Sequence, residues 1–326
     1  MTAEKFLLKG SETFNLAPYK YPWAATMVEK SIQNTWFPTE VNMTRDRPCY
    51  EMDLSPTEQH LFIHVFASLT TADAAIAENL CVRFYEMFKA AEVRYYLERQ
   101  IAEEGIHRHS YQHCLEILGV DQDEVYNLYK VKQPIRQWFD LIREMTSRDD
   151  VLELLAFYYG MVEGTWFPTA FAAVYSLQRR KLMQGTATQI ALIHKDETQH
   201  QAFGMRLFNE CADELGYKTH QDDMYGIVSR AIESMDEWAD FCVPAVLGYN
   251  ADMHKQHTRY LADRRLRQMG YDKLYGVPEA LPWLDAMASI QKEGNFFEVP
   301  AITSYQSSAG LKFEENNSLE DIVNWR

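Results

Sequence analysis

Two Glu-x-x-His units, Glu104/His107 and Glu197/His200, each follow a lone acid, Asp73 and Glu163, at nearly equal separations. Residues three apart on a helix share a face, so each unit aims one carboxylate and one imidazole at a single point. Four carboxylates and two imidazoles form an oxygen-rich, nitrogen-poor donor set of the kind that iron or manganese occupies. The doubling predicts a two-metal site inside a helix bundle, with the lone acids bridging the metals or completing their coordination. Glu-x-x-His alone is weak evidence: with 10 His in 326 residues it should arise roughly once by chance. Context adds weight, because all four segments read as long apolar helices, where an unpaired acid is costly unless a metal or partner offsets it.

The elements that must position these groups are legible as helices. Ser55-Pro56-Thr57-Glu58 combines a capping serine, a proline at the first helical position and a glutamate three beyond the cap. It predicts a helix over 56–83, with Asp73 among Phe62, Phe66, Leu69, Ile76 and Leu80, spaced by threes and fours as a core stripe. Further helices are expected over 91–118 (Glu104, His107), 150–177 (Glu163) and 186–215 (Asp196, Glu197, His200), with others over 219–246 and 252–268. Pro168 removes a backbone donor and crowds the Gly164 carbonyl, so a kink or bulge is expected beside Glu163. No strand-like alternation is sustained, and the fold class is all-α.

Residues 1–54 read as an N-terminal arm with one short helix near 24–35, residues 55–290 as the helical domain, and residues 291–326 as a mobile, acidic C-terminal tail, making a single domain overall. At 47% hydrophobic and 24% charged the chain can bury a large core, and its net charge of −15 argues against a nucleic-acid partner. Five scattered cysteines without Cys-x-x-Cys spacing indicate neither a disulfide framework nor a zinc site and point to a reducing cytoplasm. There is no signal-peptide pattern and no uninterrupted apolar run of about 18 residues, so no membrane partner is expected.

Tyr111 lies one turn beyond His107 on the same helix face, which nominates it as a redox-active phenol beside the metals. The set Asp73, Glu104-x-x-His107-x-x-x-Tyr111, Glu163-Gly-x-x-Phe167-x-x-x-Phe171 and Asp196-Glu197-x-x-His200 resembles the small, radical-generating subunit of class I ribonucleotide reductase. The likeness begins at Asn34-x-Trp36-x-Pro38-x-Glu40, continues through Thr44-Arg45-Asp46-Arg47, and extends over most of the chain. It implies a ferritin-like bundle with metal ligands at Asp73, Glu104, His107, Glu163, Glu197 and His200. It further implies that an oxygen species oxidises the metal pair, that Tyr111 loses an electron and a proton, and that Phe167, Phe171 and Ile193 shield the radical. Trp36 with Asp196 would pass the oxidation onward, and Tyr305 in the tail would carry it to the large subunit.

The expected assembly is a homodimer that docks the large catalytic subunit through its C-terminal tail. The large subunit would hold the nucleotide, in keeping with the absence here of a Gly-rich phosphate loop. Two irons are the first expectation for the metal centre, with dimanganese or mixed manganese/iron fitting the same donors. A competing reading is a ferritin-like dimetal oxygenase or oxidase acting on its own small substrate. Storage of metal is a third, which leaves Trp36 and Tyr111 unexplained.

Overall fold

The computed structural model describes residues 7–8 and 16–287, and these are helical throughout their regular regions. The expected tail, with Tyr305, lies outside them. Helix α1 (Pro22–Gln33) belongs to the N-terminal arm, followed by a 3-10 turn at Pro38–Glu40 and a helical turn at Asp46–Pro48. Helix α2 (Pro56–Asn79) starts at the anticipated capping box: Ser55 Oγ accepts from the Glu58 N–H, and the Glu58 carboxylate accepts from the Ser55 N–H at 2.8 Å. It continues through a π-helical turn, Leu80–Phe84. Helix α3 (Ala91–Leu118) stops at Gly119, whose φ of +70° suits a residue without Cβ.

Helices α4 (Gln122–Val131) and α5 (Gln133–Thr146) were not anticipated. Their start signals are ordinary, since Asp121 caps α4 and Pro134 opens α5, and α5 buries Ile135, Trp138, Phe139, Ile142 and Met145 along one face. The third long helix is composite: α6 (Val151–Leu155), a π-helical stretch Ala156–Trp166, and α7 (Phe167–Gln178). The distortion expected at Pro168 therefore lies upstream of it and spans the 11 residues Ala156–Trp166. Proline cannot donate to the Gly164 carbonyl, and Arg265 does so instead, its Nε donating at 2.8 Å.

Helix α8 (Gln184–Leu215) has no cap of its own at Met183. Asp46, from the arm, accepts from the N–H groups of Gly185 (3.0 Å) and Thr186 (2.5 Å) and from the Thr186 hydroxyl (2.7 Å), satisfying donors that a buried helix start cannot leave open. Helices α9 (Gln221–Cys242) and α10 (Ala251–Gln268) follow. Helices α2, α3, α8 and the π stretch with α7 surround one another, α1 lies on α3, and α10 backs the π stretch. Helix α2 with its continuation, Pro56–Met87, is long and apolar enough in composition to cross a membrane, but 67% of its most apolar window is buried within the protein. Its stripe, Phe62, Phe66, Leu69, Ile76 and Leu80, faces the core as anticipated.

Gly204 lets α8 approach the π stretch. A Cβ there would stand 1.8 Å from Cγ of Tyr159, which has no room to retreat because its ring is fully buried. Gly204→Ala is expected to destabilise the protein by about 1–3 kcal/mol, the usual range for overpacking, read as a lowered denaturation midpoint at unchanged m-value.

Candidate metal centre

Each long helix delivers one part of the site: Asp73 from α2, Glu104 and His107 from α3, Glu163 from the π stretch, and Glu197 and His200 from α8. All six are buried, none more than 1% exposed. The two histidines turn their Nδ1 atoms inward and define two positions. His107 Nδ1 lies 3.8 Å from Asp73 Oδ2, 3.3 Å from Glu104 Oε2 and 3.1 Å from Glu197 Oε1. His200 Nδ1 lies 3.6 Å from Glu163 Oε2, 3.3 Å from Glu104 Oε1 and 3.1 Å from Glu197 Oε2. Glu104 and Glu197 thus turn one oxygen to each position, as bridging carboxylates would, while Asp73 and Glu163 each serve one. Each lone acid reaches one histidine, whereas the carboxylates of the two Glu-x-x-His units each reach both.

The donor set fits two cations. Both oxygens of Asp73 and of Glu104, one oxygen each of Glu163 and Glu197, and His107 Nδ1 are buried without any hydrogen bond. Buried polar atoms are ordinarily paired, and so many orphans at one point call for a ligand. One position gathers Glu104, Glu163, Glu197 and His200 within 4.8 Å of one another and the other Asp73, Glu104 and His107, with Glu197 also reaching His107; both donor sets suit iron or manganese. Without metal, protons must neutralise the cluster. Burial and the neighbouring Glu104 charge push Asp73 well above the usual carboxylate range, and burial with the Glu197 charge does the same to Glu163. Glu104 is raised by the same causes. Glu197 is held well below its usual range, because hydrogen bonding to Glu163 and the charge of His200 outweigh burial. Both imidazoles are raised well above theirs: burial opposes this, but the surrounding carboxylates prevail.

Beyond the six, His107 Nε2 lies 3.3 Å from Asp196 Oδ2, and the same oxygen accepts from Trp36 Nε1 at 2.8 Å. Trp36, Asp196 and His107 are therefore joined as expected, with the indole stacked near the imidazole at a 6.4 Å centroid separation. Tyr111 is fully buried, its hydroxyl unpaired, and the ring that touches it edge-on is Phe66, 5.7 Å between centroids. Phe167, Phe171 and Ile193 are likewise fully buried. Sequence reasoning missed two polar supports. Gln100 donates to Glu163 Oε1 at 3.2 Å and accepts from the Tyr159 hydroxyl at 2.9 Å, and Glu103 contacts His200 Nε2 at 3.0 Å. The available signal for Glu103 was its position, immediately before Glu104 as Asp196 stands before Glu197.

An all-helical bundle enclosing such a cluster defines the ferritin-like class of carboxylate-bridged dimetal proteins. The family model for the ribonucleotide reductase small chain matches residues 13–282, and the chain belongs to that family. It is 31% identical over 319 residues to a ribonucleoside-diphosphate reductase subunit beta of Chlamydia pneumoniae, covering 91% of each chain. It is 32% identical over 326 residues to a small chain of Nicotiana tabacum, covering 96% of this chain and 94% of that one. The fold matches a ribonucleotide reductase R2 subunit from Clostridium botulinum with a TM-score of 0.80 at 21% identity, over 87% and 94% of the two chains. A dimanganese(II) NrdF of Streptococcus sanguinis matches with a TM-score of 0.72 at 18% identity, over 86% and 100%. The chain's role is that of a ribonucleotide reductase small subunit, an oxidoreductase role in a family that generates a radical through a dimetal site and works with a separate large subunit.

Metal uptake must displace the protons held by the raised groups. Groups raised in the folded state lend stability at low pH that is lost as pH rises through their folded values, whereas Glu197 works oppositely and loses its contribution only as pH falls. Raised groups outnumber it, so the metal-free protein should lose stability over the interval above the ordinary carboxylate and imidazole values as pH rises, while manganese(II) restores it. The expected result is a metal-induced rise in melting temperature that grows over that interval, together with net proton release on titration in weak buffer.

Proposed function

We propose that Asp73, Glu104, Glu197 and His107 hold one metal and Glu163, Glu104, Glu197 and His200 the other, and that the radical resides on Tyr111. When bound, the pair supplies the one-electron oxidant that the family generates with an oxygen species. Iron in both positions is the first assignment, with dimanganese or manganese/iron compatible with the same donors. The phenol must surrender its proton together with its electron. Burial, then the charges of Asp73, Glu197 and Glu104, hold it well above the ordinary tyrosine range, so no phenolate forms beforehand. The apolar enclosure keeps water and reductants from the oxidised ring.

The observation that carries the reading is the unbroken link His107–Asp196–Trp36. Asp196 accepts from the Trp36 indole and orients His107, so the residue that faces the cluster and a residue of the arm share one carboxylate oxygen. Trp36 hands oxidation toward the large subunit, with Asp196 as the acceptor poised at the indole proton. Tyr305 continues that path from the tail, which docks the large subunit, and the small subunit works as a homodimer in the cytoplasm. These last assignments rest on the sequence resemblance.

Electron paramagnetic resonance of the activated protein tests the assignment. Tyr111→Phe should abolish the tyrosyl signal while two metals per chain remain bound, and an unchanged signal places the radical on another tyrosine. Trp36→Phe should keep the signal but lose ribonucleotide reduction in the presence of the large subunit. Asp196→Asn should lower metal affinity or activity by about tenfold to a hundredfold, the usual effect of removing a carboxylate behind a metal-bound histidine.

A further inference from the structure

The two halves of the centre support each other crosswise. Asp196, which precedes Glu197 on α8, reaches His107 on α3; Glu103, which precedes Glu104 on α3, reaches His200 on α8. Both contacts are made to Nε2, leaving both Nδ1 atoms facing the cluster. Beyond the histidines the two chains of contacts diverge. Asp196 accepts from the neutral, oxidisable indole of Trp36. Glu103 is 3% exposed, accepts from the Ser31 hydroxyl and pairs with the Arg99 guanidinium at 3.1 Å. Arg99 also donates to Ser31 Oγ at 2.6 Å and to Thr35 Oγ1 at 2.9 Å, anchoring the group to the end of α1.

We propose that Glu103 is the positioning residue for His200, holding the Nε2–H tautomer and the ring angle so that Nδ1 serves the metal position shared with Glu163. The proposal rests on the two-metal reading above. A metal-bearing imidazole needs its far nitrogen protonated and held, and a buried carboxylate at 3.0 Å does both. Arg99 compensates the charge of Glu103, whereas Asp196 faces a neutral donor, so the two imidazoles are backed by carboxylates of unequal strength and the two positions are inequivalent. The His200 chain ends on a guanidinium and hydroxyls, which do not give up an electron under conditions that oxidise a phenol. Of the two carboxylates that back the histidines, Asp196 alone leads to an oxidisable ring, the Trp36 indole.

Manganese(II) titration of the metal-free full-length protein, with free ion counted by its resonance signal, separates the outcomes. Wild type should bind two ions per chain; failure to do so overturns the two-metal reading itself. Glu103→Ala should weaken one class of site by about tenfold to a hundredfold and the other less. Glu103→Gln, which keeps an acceptor oxygen, should recover part of that loss. Both classes unchanged, or both weakened alike, overturns the role of Glu103. A second readout does not depend on Glu103→Ala folding: zinc loading of wild type should change two imidazole N–H signals, and Glu103→Gln should shift one of those two alone. A shift of neither, or of both equally, also overturns it.

Discussion

Four carboxylates held out of water, within reach of one another and of two imidazoles, are the constraint from which the rest of this molecule follows. Like charges at such separations cannot all persist in a medium of low polarity, so cations or protons must enter with them. That demand explains why the acids come from four different rigid helices rather than from a loop. Every ligand carbon is fixed by its own packed stripe, and the cluster cannot relieve itself by spreading apart. Stability is given up locally at the centre and recovered over a core that runs through the bundle.

The supports around the centre answer to the same demand. Asp46 satisfies the start of α8 from far away in the chain, and Arg265 satisfies the one carbonyl that Pro168 cannot. Burial lowers Arg265 to about 9, still protonated near neutrality, so it remains a donor to Gly164 beside the ligand Glu163. Gln100 ties Glu163 to Tyr159, and Gly204 leaves Tyr159 its space. The arm, which composition alone would set aside as a leader to the domain, furnishes Trp36, Ser31 and Asp46, and so takes part in both the wiring and the scaffolding of the centre.

What could be read from the sequence was whatever local periodicity carries. Asp73 sits within a stripe of threes and fours, Ser55-Pro56-Thr57-Glu58 is a complete start signal, and Glu-x-x-His places its own two side chains on one face. Helix α3 was read with the bounds it has. Helices α4 and α5 carry no ligand, and their start signals at Asp121 and Pro134 are the ordinary ones of any short helix. Which acid bridges depends on how four helices are rotated against each other, and no window of sequence contains that angle. Glu103 reads locally as a solvated charge; it becomes a support only when α8 brings His200 to it. The length of the π stretch was similarly hidden, since Pro168 announces a distortion but not how far upstream the backbone absorbs it.

The exchange of acids between α3 and α8 also has a mechanical side. Because each helix grips the other's imidazole, a slide of one past the other by a single turn, about 5.4 Å, would tear both grips at once. Such a pair behaves as a ratchet with one permitted notch. The spacing between the two cation positions is thereby tied to the alignment of two whole helices, and a disturbance far along either one is felt as a change in that spacing.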